Sequence, residues 1–112
     1  MSVTPSEKQI ENSILDFLKA HKIFCWKNET VGIFDRKRGV YRKKHGHNLK
    51  GVSDILGIYD GKFLAIEVKK PKSYPTKEQR VFLEMVKENG GIAFVARSVD
   101  DVVKNLKRFS DS

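Results

Sequence analysis

The sequence predicts an α/β fold, a mixed β-sheet flanked by helices in the order α-β-β-β-α-β-α, and three observations carry that expectation. Helix starts are announced by capping signals, at Thr4-Pro5-Ser6-Glu7 and at Thr76 with Gln79 three residues on. Two β-rich runs, Ser53 to Tyr59 and Lys62 to Lys70, flank Asp60-Gly61, a pair that tolerates the positive φ of a type I′ hairpin turn. A short apolar run, Ile92 to Ala96, reads as a buried strand between helices.

In the first helix Thr4 is the expected N-cap, Pro5 takes the first helical position and Glu7 closes a capping box. The helix runs to about Ala20, with Ile10, Ile14, Phe17 and Leu18 recurring at helical spacing on one apolar face. Ile23 to Lys27 follows as a strand. Its Cys25 is the chain's one cysteine, so it forms no internal disulfide; it reads as a small buried hydrophobe, which suits a reducing cytoplasm.

Arg36 to Ser53 holds seven basic residues, two histidines, three glycines and no acid, a composition expected to form a mobile, positively charged loop. After the hairpin, Pro71 and Pro75 close the strand, and Thr76 to Asn89 forms a helix stopped by Gly90-Gly91. Ser98-Val99-Asp100-Asp101 opens a last helix through about Arg108, beyond which Ser110-Asp111-Ser112 frays. With 112 residues the chain fits a single domain, 1–112, around one modest core.

Charge narrows the partner. Twenty-two Lys and Arg against 14 Asp and Glu give a net charge of +8, which favours a polyanionic partner such as nucleic acid, the commoner case, or an anionic membrane, with plain solubility as the alternative. The longest purely apolar run, Ile92 to Ala96, is far short of the ~20 residues of a membrane span, and Met1-Ser-Val-Thr-Pro has no signal-peptide core. No membrane partner and no small-molecule cofactor are expected.

The chemistry centres on the hairpin. A two-residue turn at Asp60-Gly61 places Asp54 directly opposite Glu67, with both side chains on one face; strand alternation sets Lys69 on that face too. Like charges directly opposite on a sheet destabilise it by up to about 1 kcal/mol unless compensated. A divalent cation compensates, and hard oxygen ligands without a Cys or His set favour Mg²⁺ or Mn²⁺ over zinc. Such a metal lowers the pKa of a bound water and polarises a phosphoryl oxygen, while Lys69 orients the nucleophile or neutralises charge on the phosphorus. The plainer reading is a solvated strand face with a salt bridge. Against it, Ile55, Leu56, Ile58, Leu64, Ala65, Ile66 and Val68 fill both faces of the hairpin, as in a central sheet, where unpaired acids are costly.

Gly51-Val52-Ser53-Asp54, Ile66-Glu67-Val68-Lys69 and Gln79 at the opening of a helix resemble the VRR-NUC family, a branch of the PD-(D/E)XK nucleases. The resemblance extends from the helix of Glu7 through Gly90 to Ser98. It implies a restriction-endonuclease-like fold, Mg²⁺ or Mn²⁺ dependence and cleavage of DNA. It also implies a stand-alone phage or bacterial protein associated with replication and repair, of a kind that includes dimers acting on branched junctions. Carried over by position, Asp54 and Glu67 are metal ligands, Lys69 is catalytic and the Val68 carbonyl is a further ligand. Ser53 stands where the family often has proline. The family pattern places a further acid at Glu7, whereas helical spacing puts Glu11 on the stripe of Ile14 and Leu18; the alternatives are a capping role for Glu7 and a solvated helix edge for Glu11. Gln79 is explained by its capping box, and the resemblance adds a place at the edge of the active site.

Arg36, Lys37, Arg38, Arg42, Lys43, Lys44 and Lys50 are the expected DNA-backbone contacts, with binding that weakens steeply in salt. His45 and His47 read as phosphate contacts, His21 as a residue stabilised at a helix C-terminus, and Tyr41 and Tyr74 as surface aromatics able to stack on bases. The expected function is therefore a structure-selective, metal-dependent DNA endonuclease, a homodimer in the cytoplasm. The competing readings are a non-catalytic nucleic-acid-binding module, for which the basic loop suffices, and a sequence-specific restriction-type endonuclease.

Overall fold

The computed structural model describes residues 4–29, 33–35, 40–42 and 49–106, with only the backbone described at 33–35 and 40–42. Helix α1, Glu7–Ala20, begins two residues later than its capping signal suggested. Ser6, not Thr4, is the N-cap, and it shares a reciprocal capping box with Gln9, so Glu7 is simply the first helical residue. The reason is the partner: the Ser6 hydroxyl accepts the Gln9 N–H while the Gln9 side chain accepts the Ser6 N–H, so two orphan amides are satisfied together. Ile10, Ile14, Leu15 and Leu18 form the buried face, and Phe17 is half-buried at its edge.

Strand β1, Phe24–Lys27, leads to β2, Ile33–Asp35, and β3, Val40–Arg42, which pair antiparallel with Phe34 opposite Tyr41. This small sheet was not expected, because the basic residues around it masked two β-prone pairs, Ile33-Phe34 and Val40-Tyr41. Part of the stretch expected to be a mobile loop is therefore strand. Its end is docked as well: Ser53 is fully buried.

The main sheet has the order β1-β4-β5-β6, with β4 at Ile55–Tyr59, β5 at Lys62–Val68 and β6 at Ile92–Ala96. β1, β4 and β5 are antiparallel; β5 and β6 are parallel, joined through α2, Lys77–Glu88. The β4–β5 turn has φ 51° at Asp60 and 75° at Gly61, the two positive values of a type I′ turn, and Ile55 pairs with Ile66 as that turn requires. Thr76 and Gln79 cap α2 reciprocally. Ser98 caps α3, Val99–Asn105, three residues shorter than the sequence suggested.

The larger core lies under α1 and α3, where Ile55, Leu64, Ile66, Val68, Phe94 and Ala96 meet Ile14, Leu18 and Val102. The opposite face meets α2 through Ala65, Ala93 and Leu83. The result is the expected mixed sheet between helical layers. Among the described residues no helix is long and apolar enough to cross a membrane.

Candidate active site

Asp54 is fixed from two sides at the entry to β4. Asn28, just past β1, donates its N–H to the Asp54 carbonyl at 2.8 Å, extending the β1–β4 ladder by one bond. The Asp54 side chain turns the other way and accepts the Val68 N–H at Oδ2, also at 2.8 Å. A carboxylate oxygen thus replaces a backbone acceptor where the β4–β5 ladder stops at Ile55. Continuing the register one pair beyond Ile55–Ile66 brings Asp54 opposite Glu67.

Glu67 is 1% exposed, and its two oxygens are treated unequally. Oε1 lies 3.9 Å from the Lys69 ammonium, whereas Oε2 is buried and, among the described residues, has no hydrogen-bond partner. Burial first, and the neighbouring Asp54 carboxylate second, push the Glu67 carboxyl up to about 8, against the downward pull of Lys69. A sheet position that buries an acid beside another acid and leaves one oxygen unbonded is costly unless a cation completes it. Lys69 follows directly; its N–H donates to the Ala96 carbonyl at 3.1 Å, which anchors it to β6, and its side chain is only 15% exposed.

Protonation of Glu67 has a measurable sign. The metal-free folded protein holds a proton there that the unfolded chain releases above about 4.5, so its stability falls as pH rises from about 4.5 to 8, at up to roughly 1 kcal/mol per pH unit. A divalent cation that binds the carboxylate must displace that proton. Thermal unfolding is therefore expected to show two opposite trends between pH 6 and 8: a falling Tm in EDTA and a growing stabilisation by Mn²⁺. Parallel pH dependences with and without metal would contradict this assignment.

The two helix-1 acids are placed differently. Glu7 is exposed in the first turn of α1, whereas Glu11 is buried one turn further along, with its carboxylate 3.7 Å from the Lys27 ammonium. Lys27 is also 3.7 Å from Glu29. Burial raises the Glu11 pKa; Lys27 lowers it, and the Asp54 charge raises it further, so Glu11 lies within electrostatic reach of the Asp54–Glu67 pair. Lys27 was overlooked in the sequence because its role comes from pairing with Ile55, next to Asp54.

Gln79 spends its side-chain oxygen on the Thr76 N–H, at 2.8 Å, in the capping box. Its helix turn nevertheless supports the site, because Gly51 lies against it: a Cβ on Gly51 would stand 2.4 Å from the Glu78 carbonyl carbon and 2.6 Å from the Gln79 nitrogen. The segment leading to Asp54 is thereby seated on the first turn of α2. Ser53 is fully buried and, among the described residues, its Oγ has no hydrogen-bond partner. Ser53→Ala is expected to stabilise the fold by about 1 kcal/mol, a Tm increase of a few degrees, since it removes an unpaired buried hydroxyl. A lower Tm by calorimetry would show that the hydroxyl is satisfied in solution.

Of the basic residues, Lys50 is exposed. Arg42 lies in β3 with only its backbone described, and Arg36, Lys37, Arg38, Lys43 and Lys44 fall outside the described residues, as do His45 and His47. Tyr41 is in β3. His21 is the C-cap of α1. Tyr74 is exposed, with the Arg97 guanidinium 5.1 Å from its ring centroid. Arg97 also donates to the Ser73 carbonyl at 2.6 Å, tying the segment after β5 to the end of β6. Cys25 is buried and its thiol pKa raised by burial, as expected of a packing residue.

Among the described residues no group of three or more His, Cys, Asp or Glu side chains is placed to hold a metal ion. A two-carboxylate arrangement is nonetheless the kind Mg²⁺ uses, because that ion keeps several waters and phosphate oxygens as ligands. The family model of the VRR-NUC domain matches residues 6–100. A solved structure described as a VRR_NUC domain protein superimposes with a TM-score of 0.66 at 20% identity, over 96% of this chain and 92% of that one. At that identity the likeness bears on the fold. No protein of curated function matches the chain.

Proposed function

The chain belongs to the VRR-NUC domain family and has its nuclease-type fold, and from that premise we propose that it is a divalent-metal-dependent DNA endonuclease hydrolysing phosphodiester bonds. The observation that carries the reading is the pair Asp54 and Glu67 beside Lys69, with Glu67 buried and one of its oxygens unpartnered among the described residues. Asp54, Glu67 and the Val68 carbonyl would hold Mg²⁺ or Mn²⁺, and the unbonded Glu67 oxygen fits that role. When bound, the cation supplies Lewis acidity toward a phosphoryl oxygen and a more acidic water.

The protein's own groups do the rest. Val68 orients Asp54 by donating its N–H to the carboxylate, so the ligand is held in place before substrate arrives. Lys69, kept half-buried beside Glu67, places a positive charge where negative charge grows on the phosphate. Glu11 is our choice over Glu7 for the helix-1 acid, because it is buried and feels the Asp54 charge whereas Glu7 is exposed; it would order a water at the site's edge, with Lys27 holding it in orientation. We assign Gln79 to the support of that edge. The basic residues Arg36, Lys37, Arg38, Arg42, Lys43, Lys44 and Lys50 supply phosphate contacts in the proposal, consistent with the +8 charge.

Branched DNA as substrate, a homodimer, a role in replication or repair and a cytoplasmic location complete the proposal, and their support is the family resemblance. The test is cleavage of labelled junction, flap and linear duplex DNA with Mg²⁺, Mn²⁺ or EDTA. Cutting with metal and none in EDTA is the expected result. A protein that binds these DNAs and cuts none of them with either metal is a binding module, and discrete fragments from plasmid DNA would indicate a restriction-type enzyme.

A further inference from the structure

The face of the sheet that carries Glu67 is only partly roofed. α2 packs on β5 and β6. Alternation turns Cys25, Ile55 and Leu64 into the core under α1, and so turns Phe24, Trp26, Leu56 and Ile58 toward the α2 side. On the β1–β4 half of that side the aromatic residues stay in solvent: Phe24 is 67% exposed and Trp26 40%. Their rings stand side by side on β1, centroids 5.4 Å apart and planes tilted by 52°. Ile58 pairs with Phe24 and Leu56 with Trp26, giving the pair an apolar floor.

This aromatic pair adjoins the carboxylates. Trp26 is the cross-strand partner of Leu56, which makes it a diagonal neighbour of Asp54, a relation that sets residues roughly 7–8 Å apart and their Cβ atoms somewhat closer. Two residues beyond Trp26, the Asn28 N–H is bonded to the Asp54 carbonyl. A strand whose phosphate lies at Asp54 and Glu67 therefore has its neighbouring nucleotide within reach of Trp26.

Exposed aromatic rings beside a phosphate site recognise the π-face of a base, and that face is accessible only where the base is unpaired. A polyanion is attracted to a chain of net charge +8, so nucleic acid is the occupant that fits this face. We propose that Phe24 and Trp26 form a stacking platform for an unpaired base flanking the phosphate bound at Asp54 and Glu67, so that the substrate is DNA with single-stranded nucleotides at the cut. The position of the phosphate rests on the nuclease reading; the stacking is a binding property that needs no cleavage.

Trp26 is the chain's single tryptophan, so its fluorescence reports on this surface alone. In EDTA, an oligothymidylate of about 12 nucleotides, within the usual footprint of a single-strand-binding domain, is expected to quench Trp26, and a fully paired hairpin is not. By anisotropy of labelled DNA, Trp26→Ala and Phe24→Ala should each weaken single-strand binding about tenfold, with duplex binding changed by no more than about twofold and Trp26→Phe close to wild type. Equal quenching by both DNAs, or unchanged single-strand affinity in the alanine variants, would overturn the proposal. So would variants that turn a dimer into a monomer and lose both DNAs alike, since the face would then be a self-association surface. Wild-type protein that stacks the oligothymidylate yet cuts nothing with Mg²⁺ or Mn²⁺ would leave the platform standing and remove the nuclease; metal-dependent cutting with no stacking would do the reverse.

Discussion

Glu67→Gln is expected to lower the cleavage rate by on the order of 10³-fold while leaving the protein folded. The substitution keeps the shape of a side chain that is 1% exposed and removes the charge that a cation would engage. Wild-type protein at pH 8 and without metal carries a buried acid whose pKa, raised to about 8 by burial and by Asp54, makes ionisation costly. Gln does not carry that cost, so the variant should unfold in EDTA at the same temperature as wild type or higher. Mn²⁺ should stabilise wild type and fail to stabilise the variant. Lys69→Ala belongs to the same series with a loss of roughly 10²- to 10³-fold, because it removes charge stabilisation of the transition state and leaves both carboxylates in place. A Glu67→Gln protein that cuts at more than about a tenth of the wild-type rate, with its fold verified by calorimetry, would rule out the carboxylate pair as the catalytic centre.

Gly51→Ala is the second large effect, and it acts through the backbone. Gly51 has φ +73°, a conformation that costs an L-residue about 1–2 kcal/mol, and its missing side chain is where the Glu78 carbonyl group sits, 2.4 to 2.5 Å from an ideal Cβ. Those contacts are backbone atoms of a capped helix turn and cannot swing aside. The segment that leads to Asp54 must move instead, and a displacement near 1 Å at a catalytic group lowers rates by about 10²-fold. Gly61→Ala is the internal control. Its φ of +75° is equally strained, but nothing lies within 4 Å of the added methyl. Both variants should lose Tm, by roughly 5 °C for each kcal/mol, yet only Gly51→Ala should lose cleavage well beyond what its lowered stability explains. Equal activities in the two proteins would show that docking on α2 does not position Asp54.

The Asp60-Gly61 turn made the centre of the fold legible. A two-residue turn with both φ values positive fixes strand register, and that register puts Asp54 across from Glu67 without any knowledge of the remaining chain. The Thr76–Gln79 and Ser98 caps were readable for the same reason, since each is settled within one turn of helix. Local signals failed where two candidates stood close together. Thr4 and Ser6 are both good N-caps, and Ser6 wins through its partner Gln9. Around Val40–Arg42 the density of positive charge hid a short strand, because pairing with Ile33–Asp35 is a contact between segments and leaves no periodic signal in three residues.

The sequence by itself determined the order of the main-sheet elements, the register of the hairpin and the acids and lysine it brings to one face, because turn chemistry and strand alternation act over a few residues. Only the tertiary structure decided that Glu11 is buried and feels the Asp54 charge while Glu7 is exposed, that Gly51 is pressed against α2, and that Phe24 and Trp26 remain in solvent beside the site. Those outcomes depend on how α1 and α2 pack on opposite faces of the sheet. Burial, and the pKa shifts that follow from it, are properties of neighbours far apart in the chain, which no local pattern of residues encodes.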